Sequence, residues 1–264
     1  MTAAQIFLSL GSGGLVGLSL GVIGGGGSIL AVPLTVYVIG MSSPHMAIGT
    51  SAVAVAASAL INLFSHARDR NIKWPCASVF ALTGMAGATL GAEIGKAVDG
   101  AKLLAGFGAL MIVIAALMLR PRRGGQDPDV RLDRSSALRL LPGLAGTGFG
   151  VGVLSGFFGI GGGFLIVPGL VSATSMPLLN AIGSSLVSVA AFGATTAVSY
   201  PISGLVDWPV AILFILGGAG GGFFGARLAR RLALHRHALT LVFSGVGAPV
   251  GLYIVSRGIL TFIQ

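Results

Sequence analysis

Three groups of residues in this sequence could do chemistry. Two glycine runs, Gly24-Gly25-Gly26-Gly27-Ser28 and Gly159-Ile160-Gly161-Gly162-Gly163, each lead into a short apolar stretch that contains a proline, Pro33 or Pro168. Two hydroxyl pairs, Thr50-Ser51 and Ser184-Ser185, follow at matching distances. Glycine weakens a helix by about 1 kcal/mol per residue, so such runs hold unwound backbone. A helix that restarts beyond them presents unpaired N–H groups and the positive end of its dipole, and both favour an anion. Hydroxyls at Ser28, Thr50, Ser51, Ser184 and Ser185 could add donors. The competing reading is packing: the glycines let helices approach, and the hydroxyls bond their own helix backbone. The third group is ionisable. His45, His66 and Glu93 stand next to apolar stretches, and an ionisable group at membrane depth is a candidate for proton coupling. Positions beside Pro44 (His45) and near segment ends (His66, Glu93) equally fit a membrane interface.

Motifs that resemble those of enzymes fail on context. Gly17-Leu18-Ser19-Leu20-Gly21 matches the nucleophile-elbow pattern, but it lies in an unbroken apolar segment, where a strand-to-helix turn is required. The glycine runs lack both the preceding strand and the acidic residue about 20 positions on that a dinucleotide site needs. His235-Arg236-His237 reads as a solvated loop, and no metal and no cofactor are expected. The lone Cys76 reads as a small buried hydrophobe.

The elements that position these residues follow from composition. Of 264 residues, 54% are hydrophobic, 44 are glycine, and only 9% are charged, against about 25% in a soluble domain. That excludes a water-soluble globule and leaves an all-α polytopic membrane protein. Ten apolar segments are predicted, at 4–23, 29–40, 46–65, 75–96 and 102–119, then at 140–158, 164–174, 179–201, 208–226 and 238–256. Crossing ~30 Å of hydrocarbon takes about 20 helical residues, so 29–40 and 164–174 are too short to cross alone. About 8–10 helical segments, with short broken or re-entrant ones among them, are therefore expected.

The segments repeat at a spacing of about 134 residues. Gly17, Gly21 and the run before Pro33 match Gly152, Gly156 and the run before Pro168; Ala47-Ile48-Gly49-Thr50-Ser51 matches Ala181-Ile182-Gly183-Ser184-Ser185; Trp74-Pro75 matches Trp208-Pro209; and Gly84, Gly87 and Gly91 match Gly218, Gly221 and Gly225. The chain is read as a first transmembrane repeat, 1–120, a polar cytoplasmic linker, 121–137, and a second repeat, 138–264. Short, Gly/Pro-interrupted segments at matching positions in two halves are the sequence pointer to a transporter's binding site. Two small-residue ridges, Gly87-x3-Gly91-x3-Gly95 and Gly221-x3-Gly225-x3-Ala229, suit close helix crossing within the chain and leave a homodimer open.

Residues 1–67 and 140–206 carry no Asp, Glu, Lys or Arg, so the net charge of +9 sits in short loops and forms no face for nucleic acid. Cations lie between the third and fourth segments of the first half (Arg68, Arg70, Lys73), whereas the equivalent second-half loop holds only Asp207. In the second half they follow the fourth segment instead, at Arg227, Arg230, Arg231 and Arg236. The positive-inside rule then makes the repeats inverted. The cationic loops face the cytoplasm, and Lys96–Lys102 and Ser203–Asp207 face the other side.

The paired glycine runs, the Ala-Ile-Gly-Thr/Ser-Ser pair and the Trp-Pro and Gly-rich fourth segments resemble the sulfite exporter TauE/SafE family of membrane permeases, over nearly the whole chain. The resemblance implies transport of a small sulfur-containing anion such as sulfite, sulfoacetate or a related organosulfonate, in a multi-pass protein of the bacterial inner membrane. The substrate-binding candidates are Gly24, Gly25, Gly26, Gly27, Ser28, Thr50, Ser51, Gly159, Gly161, Gly162, Gly163, Ser184 and Ser185. Alternatives are a passive anion channel and a membrane assembly subunit that transports nothing. The expected partners are the anion and the lipid bilayer.

Overall fold

The computed structural model describes residues 2–68, 71–119, 136–158, 163–202 and 204–232. Among these residues it has no strand and nine α-helices: α1 Ala3–Ile23, α2 Ala31–Pro33, α3 Pro44–Arg68, α4 Trp74–Ala97, α5 Gly100–Leu119, α6 Ala137–Phe158, α7 Gly163–Thr174, α8 Leu178–Ile202 and α9 Trp208–Leu232. Six of them, α1, α3, α4, α6, α8 and α9, are long and apolar enough to cross a membrane. The segment expected at 238–256, the sequence His235-Arg236-His237 and linker residues 121–135 lie outside the described residues.

Local sequence sets the helix ends. α1 opens with a capping box in which the Gln5 N–H donates to Thr2 Oγ1 (3.3 Å) and the Thr2 N–H to Gln5 Oε1 (3.0 Å). It closes at Gly24, whose φ of +67° is left-handed and suits glycine. Pro75 stands in the first turn of α4, where its missing N–H costs nothing, and Pro209 holds the same place in α9.

Glycines then decide which helices meet. A Cβ on Gly13, Gly17 or Gly21 of α1 would collide with the backbone of α9 at Phe214, Gly218 and Gly222 in turn. A Cβ on Gly148, Gly152 or Gly156 of α6 would meet α4 at Phe80, Gly84 and Ala88. In each pair the contacts advance together along both helices, so α1 runs parallel to α9, and α6 to α4. The facing glycines complete the fit: those of the ridge Gly87, Gly91 and Gly95 close on α6, and Gly221 and Gly225 close on α1. Both ridges are therefore used within the chain. The halves interlock, each lending its fourth segment to the other's first.

α3 and α8 pack at the centre. The Lys73 N–H, just past the end of α3, donates to Ser184 Oγ near the start of α8 (3.0 Å). The Asp207 N–H, past the end of α8, donates to Thr50 Oγ1 near the start of α3 (2.9 Å). These two bonds are repeat partners of each other and lie at opposite ends of an antiparallel helix pair. The buried aromatics Phe80 and Phe192 stack between α4 and α8, with ring centroids 6.3 Å apart. Phe7, Phe64, Leu82, Leu138 and Val198 are exposed, as lipid-facing side chains are.

Candidate functional site

Past α1 the backbone leaves regular helix. Residues Gly24–Leu30 form a 3-10 stretch, α2 supplies a single turn, and Leu34–Val38 form a π turn. Runs of 3-10 helix this long are uncommon because their hydrogen bonds are poorer, and π turns gather at functional sites. The path returns to the end of the bundle where α1 began, since Ile39, Gly40 and Met41 share a cavity of about 190 Å³ with Gln5, Met46, Asp207 and Val210. The run and the short segment after it thus recross the bundle together, although neither is long enough to do so alone.

The glycine run lies against the second half. At Gly24 a Cβ would lie 2.7 Å from Ile182 O and 2.9 Å from Ser185 Oγ. At Gly25 it would lie 2.6 Å from the Cα of Gly163, the first residue of α7. The N-terminus of α7 therefore abuts the unwound stretch of the other half, inside the bundle. The Gly25 N–H donates to Ser185 Oγ (3.0 Å), and that hydroxyl donates on to Ile182 O (2.7 Å). Ser28 Oγ donates to Gly25 O (2.9 Å). At Gly27 a Cβ would collide with the backbone of Ser19 and Leu20 in α1.

All the candidate hydroxyls are buried: Ser28, Thr50, Ser51, Ser184 and Ser185. Ser51 Oγ donates to Ile48 O (3.0 Å), a bond within its own helix, whereas Thr50 and Ser184 accept from the loops of the opposite half. Gly24, Gly25, Gly163 and Ser185 are brought together. Gly26 follows in the same 3-10 stretch. Gly159, Gly161 and Gly162 lie outside the described residues.

The three ionisable candidates separate. His66, 3% exposed, places Nε2 3.3 Å from Gly21 O in the last turn of α1, three residues before Gly24. His45 sits at the other end of α3, with Nε2 3.1 Å from Val98 O. Glu93, 61% exposed, pairs with Lys96 at 2.7 Å in the last turns of α4. Sequence reading missed Ser58 and Asn62, which lie two turns and one turn before His66 on α3 and are fully buried. Their spacing of four within an apolar helix was the signal.

A helical bundle of this kind, with six spans among the described residues and a buried 3-10 and π stretch, is a multi-pass membrane protein built on a transporter plan. The family model for the sulfite exporter TauE/SafE matches residues 9–254. A "Probable membrane transporter protein" of Xylella fastidiosa (strain 9a5c) is 48% identical over 257 residues, covering 97% of each chain. The "Probable membrane transporter protein YunE" of Bacillus subtilis (strain 168) is 27% identical and covers 94% of this chain and 97% of its own. No solved structure matches. The chain belongs to the TauE/SafE family of membrane transporters.

Proposed function

We propose that the protein carries a small sulfur monoanion, hydrogensulfite or a monosulfonate, across the bacterial inner membrane, and binds it where Gly24–Ser28 meets the N-terminus of α7. The observation that carries this reading is the contact of Gly25 with Gly163. A 3-10 stretch from one half and a helix start from the other converge at a buried point between α1 and α8. Irregular backbone at membrane depth persists only where it is buried in protein or lines a cavity, and a transporter's site is such a place. Ser185 and Ser28 supply hydroxyls there, and the sequence repeat gives Gly159, Gly161, Gly162 and Gly163 as counterparts of the run and Thr50-Ser51 as counterparts of Ser184-Ser185.

Charge selects the guest. The flanking sequence 1–67 and 140–206 holds no Asp, Glu, Lys or Arg, so dipoles and hydroxyls do the binding. A helix N-terminus offers about half a positive charge, and burial cost grows roughly with the square of the charge, so a dianion is disfavoured. The cavity beside Asp207 has a carboxylate in its wall and suits an anion less well.

The same reading makes the repeats inverted. Its supports are the antiparallel run of the equivalent helices α3 and α8 and the switch of cationic loops between the halves. Residues 71–73 and the end of α9 share one side, taken as cytoplasmic. The test is flux into proteoliposomes with a panel of sulfur anions at several pH values. Saturable uptake whose rate follows hydrogensulfite and monosulfonates is expected. A rate that follows the sulfite dianion, or no flux of any sulfur anion, overturns the reading.

A further inference from the structure

α3 carries one buried polar residue per turn over its second half: Ser58, Asn62 and His66, at 0%, 1% and 3% exposure. Eight residues of helix place them along a column about 12 Å long. Glycines wall the column on the facing helices. A Cβ on Gly218 of α9 would collide with Ser58 Oγ, one on Gly222 would lie 2.5 Å from Asn62 Nδ2, and Gly21 of α1 meets His66 through its carbonyl. Asn62 Nδ2 donates to Ser58 O (2.9 Å), but Asn62 Oδ1 and Ser58 Oγ have no partner among the described residues. An unpartnered buried polar atom costs about 1–3 kcal/mol. Ser58 Oγ and Asn62 Oδ1 belong to residues one turn apart on this face of α3.

The repeat partners of these residues are Phe192, Thr196 and Tyr200. Phe192 fills its place as a ring stacked on Phe80, and Thr196 Oγ1 donates to Phe192 O (3.1 Å). The column therefore exists in one half only. It ends at His66, beside the last turn of α1, where the carbonyl end of the helix dipole favours a cation. Gly24 and the unwound run begin three residues further on. One helix N-terminus, that of α7, balances about half of a monoanion's charge, and a proton that crosses with the anion cancels the net charge moved.

We propose that His66 binds the proton that accompanies the anion, and that Ser58 and Asn62 form the buried relay that loads and empties it. The step is a protonation of the imidazole by water-borne H⁺ and its release on the other side, so that a monoanion and a proton cross together without net charge. The charged and titratable groups on the elements around α3 fall towards its two ends. α1 has none. Tyr37, Lys102 of α5 and Tyr200 of α8 belong at the opposite end of α3. On the His66 side stand Arg68 and Lys73, together with Arg227, Arg230 and Arg231 of α9. Arg68 and Arg227 are exposed, and Arg227 lies 3.9 Å over the Phe223 ring.

This inference rests on the transport reading, and one experiment separates the two. Methanesulfonate stays a monoanion at every working pH, so proton movement in its presence reports on the protein and not on the ligand. With a pH dye trapped in proteoliposomes of the full chain, methanesulfonate uptake should acidify the lumen, and an inward proton gradient should speed uptake. His66→Gln should keep methanesulfonate exchange while acidification falls about tenfold or more. Ser58→Ala should slow acidification a few-fold, and Thr196→Val, on the mirror helix, should leave it unchanged. Methanesulfonate uptake without acidification in the unaltered protein, or acidification that survives in His66→Gln or is untouched in Ser58→Ala, overturns the inference alone. No flux of any sulfur anion overturns the transport reading and this inference with it.

Discussion

In α1 the glycines at 13, 17 and 21 close on α9, and in α6 those at 148, 152 and 156 close on α4, so both halves dock by the same three-step contact. Beyond these helices the halves part. After α1 the chain passes through a 3-10 stretch and a π turn, whereas after residues 159–162 the second half forms the 12-residue helix α7. α3 carries the column Ser58–Asn62–His66, whereas α8 places the Phe192 ring and the bonded Thr196 at the matching positions. Packing geometry is kept in duplicate because each half needs the other's helix. The polar column on α3 has no counterpart at the matching positions of α8, and the proposed proton relay rests on that asymmetry.

The largest effects should break the shared docking. Gly91→Leu and Gly225→Leu push a side chain into the backbone of α6 and α1 respectively, and no rotamer relieves a clash with main chain. Both should lose most of the monodisperse protein recovered in detergent, and to a similar degree. If one folds normally, the two dockings are not equivalent.

Next come the glycines that meet across the halves. Gly24→Ala must adopt a φ near +67° that costs a non-glycine residue about 1 kcal/mol, and its methyl crowds Ile182 O. It should still insert, yet transport by the purified protein should fall about tenfold or more. Failure to insert would place Gly24 with the docking glycines instead.

A smaller contrast separates two serines that the repeat makes equivalent. Ser185→Ala leaves the Gly25 N–H without its partner and should cost about 1–3 kcal/mol, read as a lower melting temperature. Ser51→Ala removes a bond within its own helix and should change stability by about 0.5 kcal/mol at most. Equal losses would mean that Ser51 has a cross-half duty of its own. The smallest effect belongs to Glu93→Gln. Its exposed pair with Lys96 is worth about 1 kcal/mol or less, and it stands at the end of α4 away from His66, so uptake rate and its pH dependence should both persist.

Much of this architecture is legible in the sequence. Apolar stretches at 46–65, 75–96 and 179–201 became α3, α4 and α8 with ends within a few residues, because hydrocarbon thickness and loop charges leave little freedom. The glycine run before Pro33 reads as unwound backbone, and the structure departs from that in holding it as 3-10 helix, a tighter form that glycine still permits where an α-helix fails. The partner of each glycine ridge was not legible, since Gly91 does not itself specify Val153 as its neighbour. Nor was the exchange by which Thr50 and Ser184 accept from loops of the opposite half, since a hydroxyl in an apolar helix most often bonds its own backbone. Ser58 and Asn62 were visible as a spacing of four, but their importance appeared only when Gly218 and Gly222 were found facing them.

The central claim is that two like-packed halves are inserted in opposite senses, so that equivalent loops open on opposite sides of the membrane. It is tested most directly by placing single cysteines at Asn71 and at Leu205 in a Cys76→Ala background that retains transport, then labelling intact cells with an impermeant thiol reagent. The inverted arrangement predicts that the cysteine at 205 reacts in intact cells and that the one at 71 reacts only after the membrane is opened. Equal labelling of both in intact cells, or of 71 alone, would contradict it.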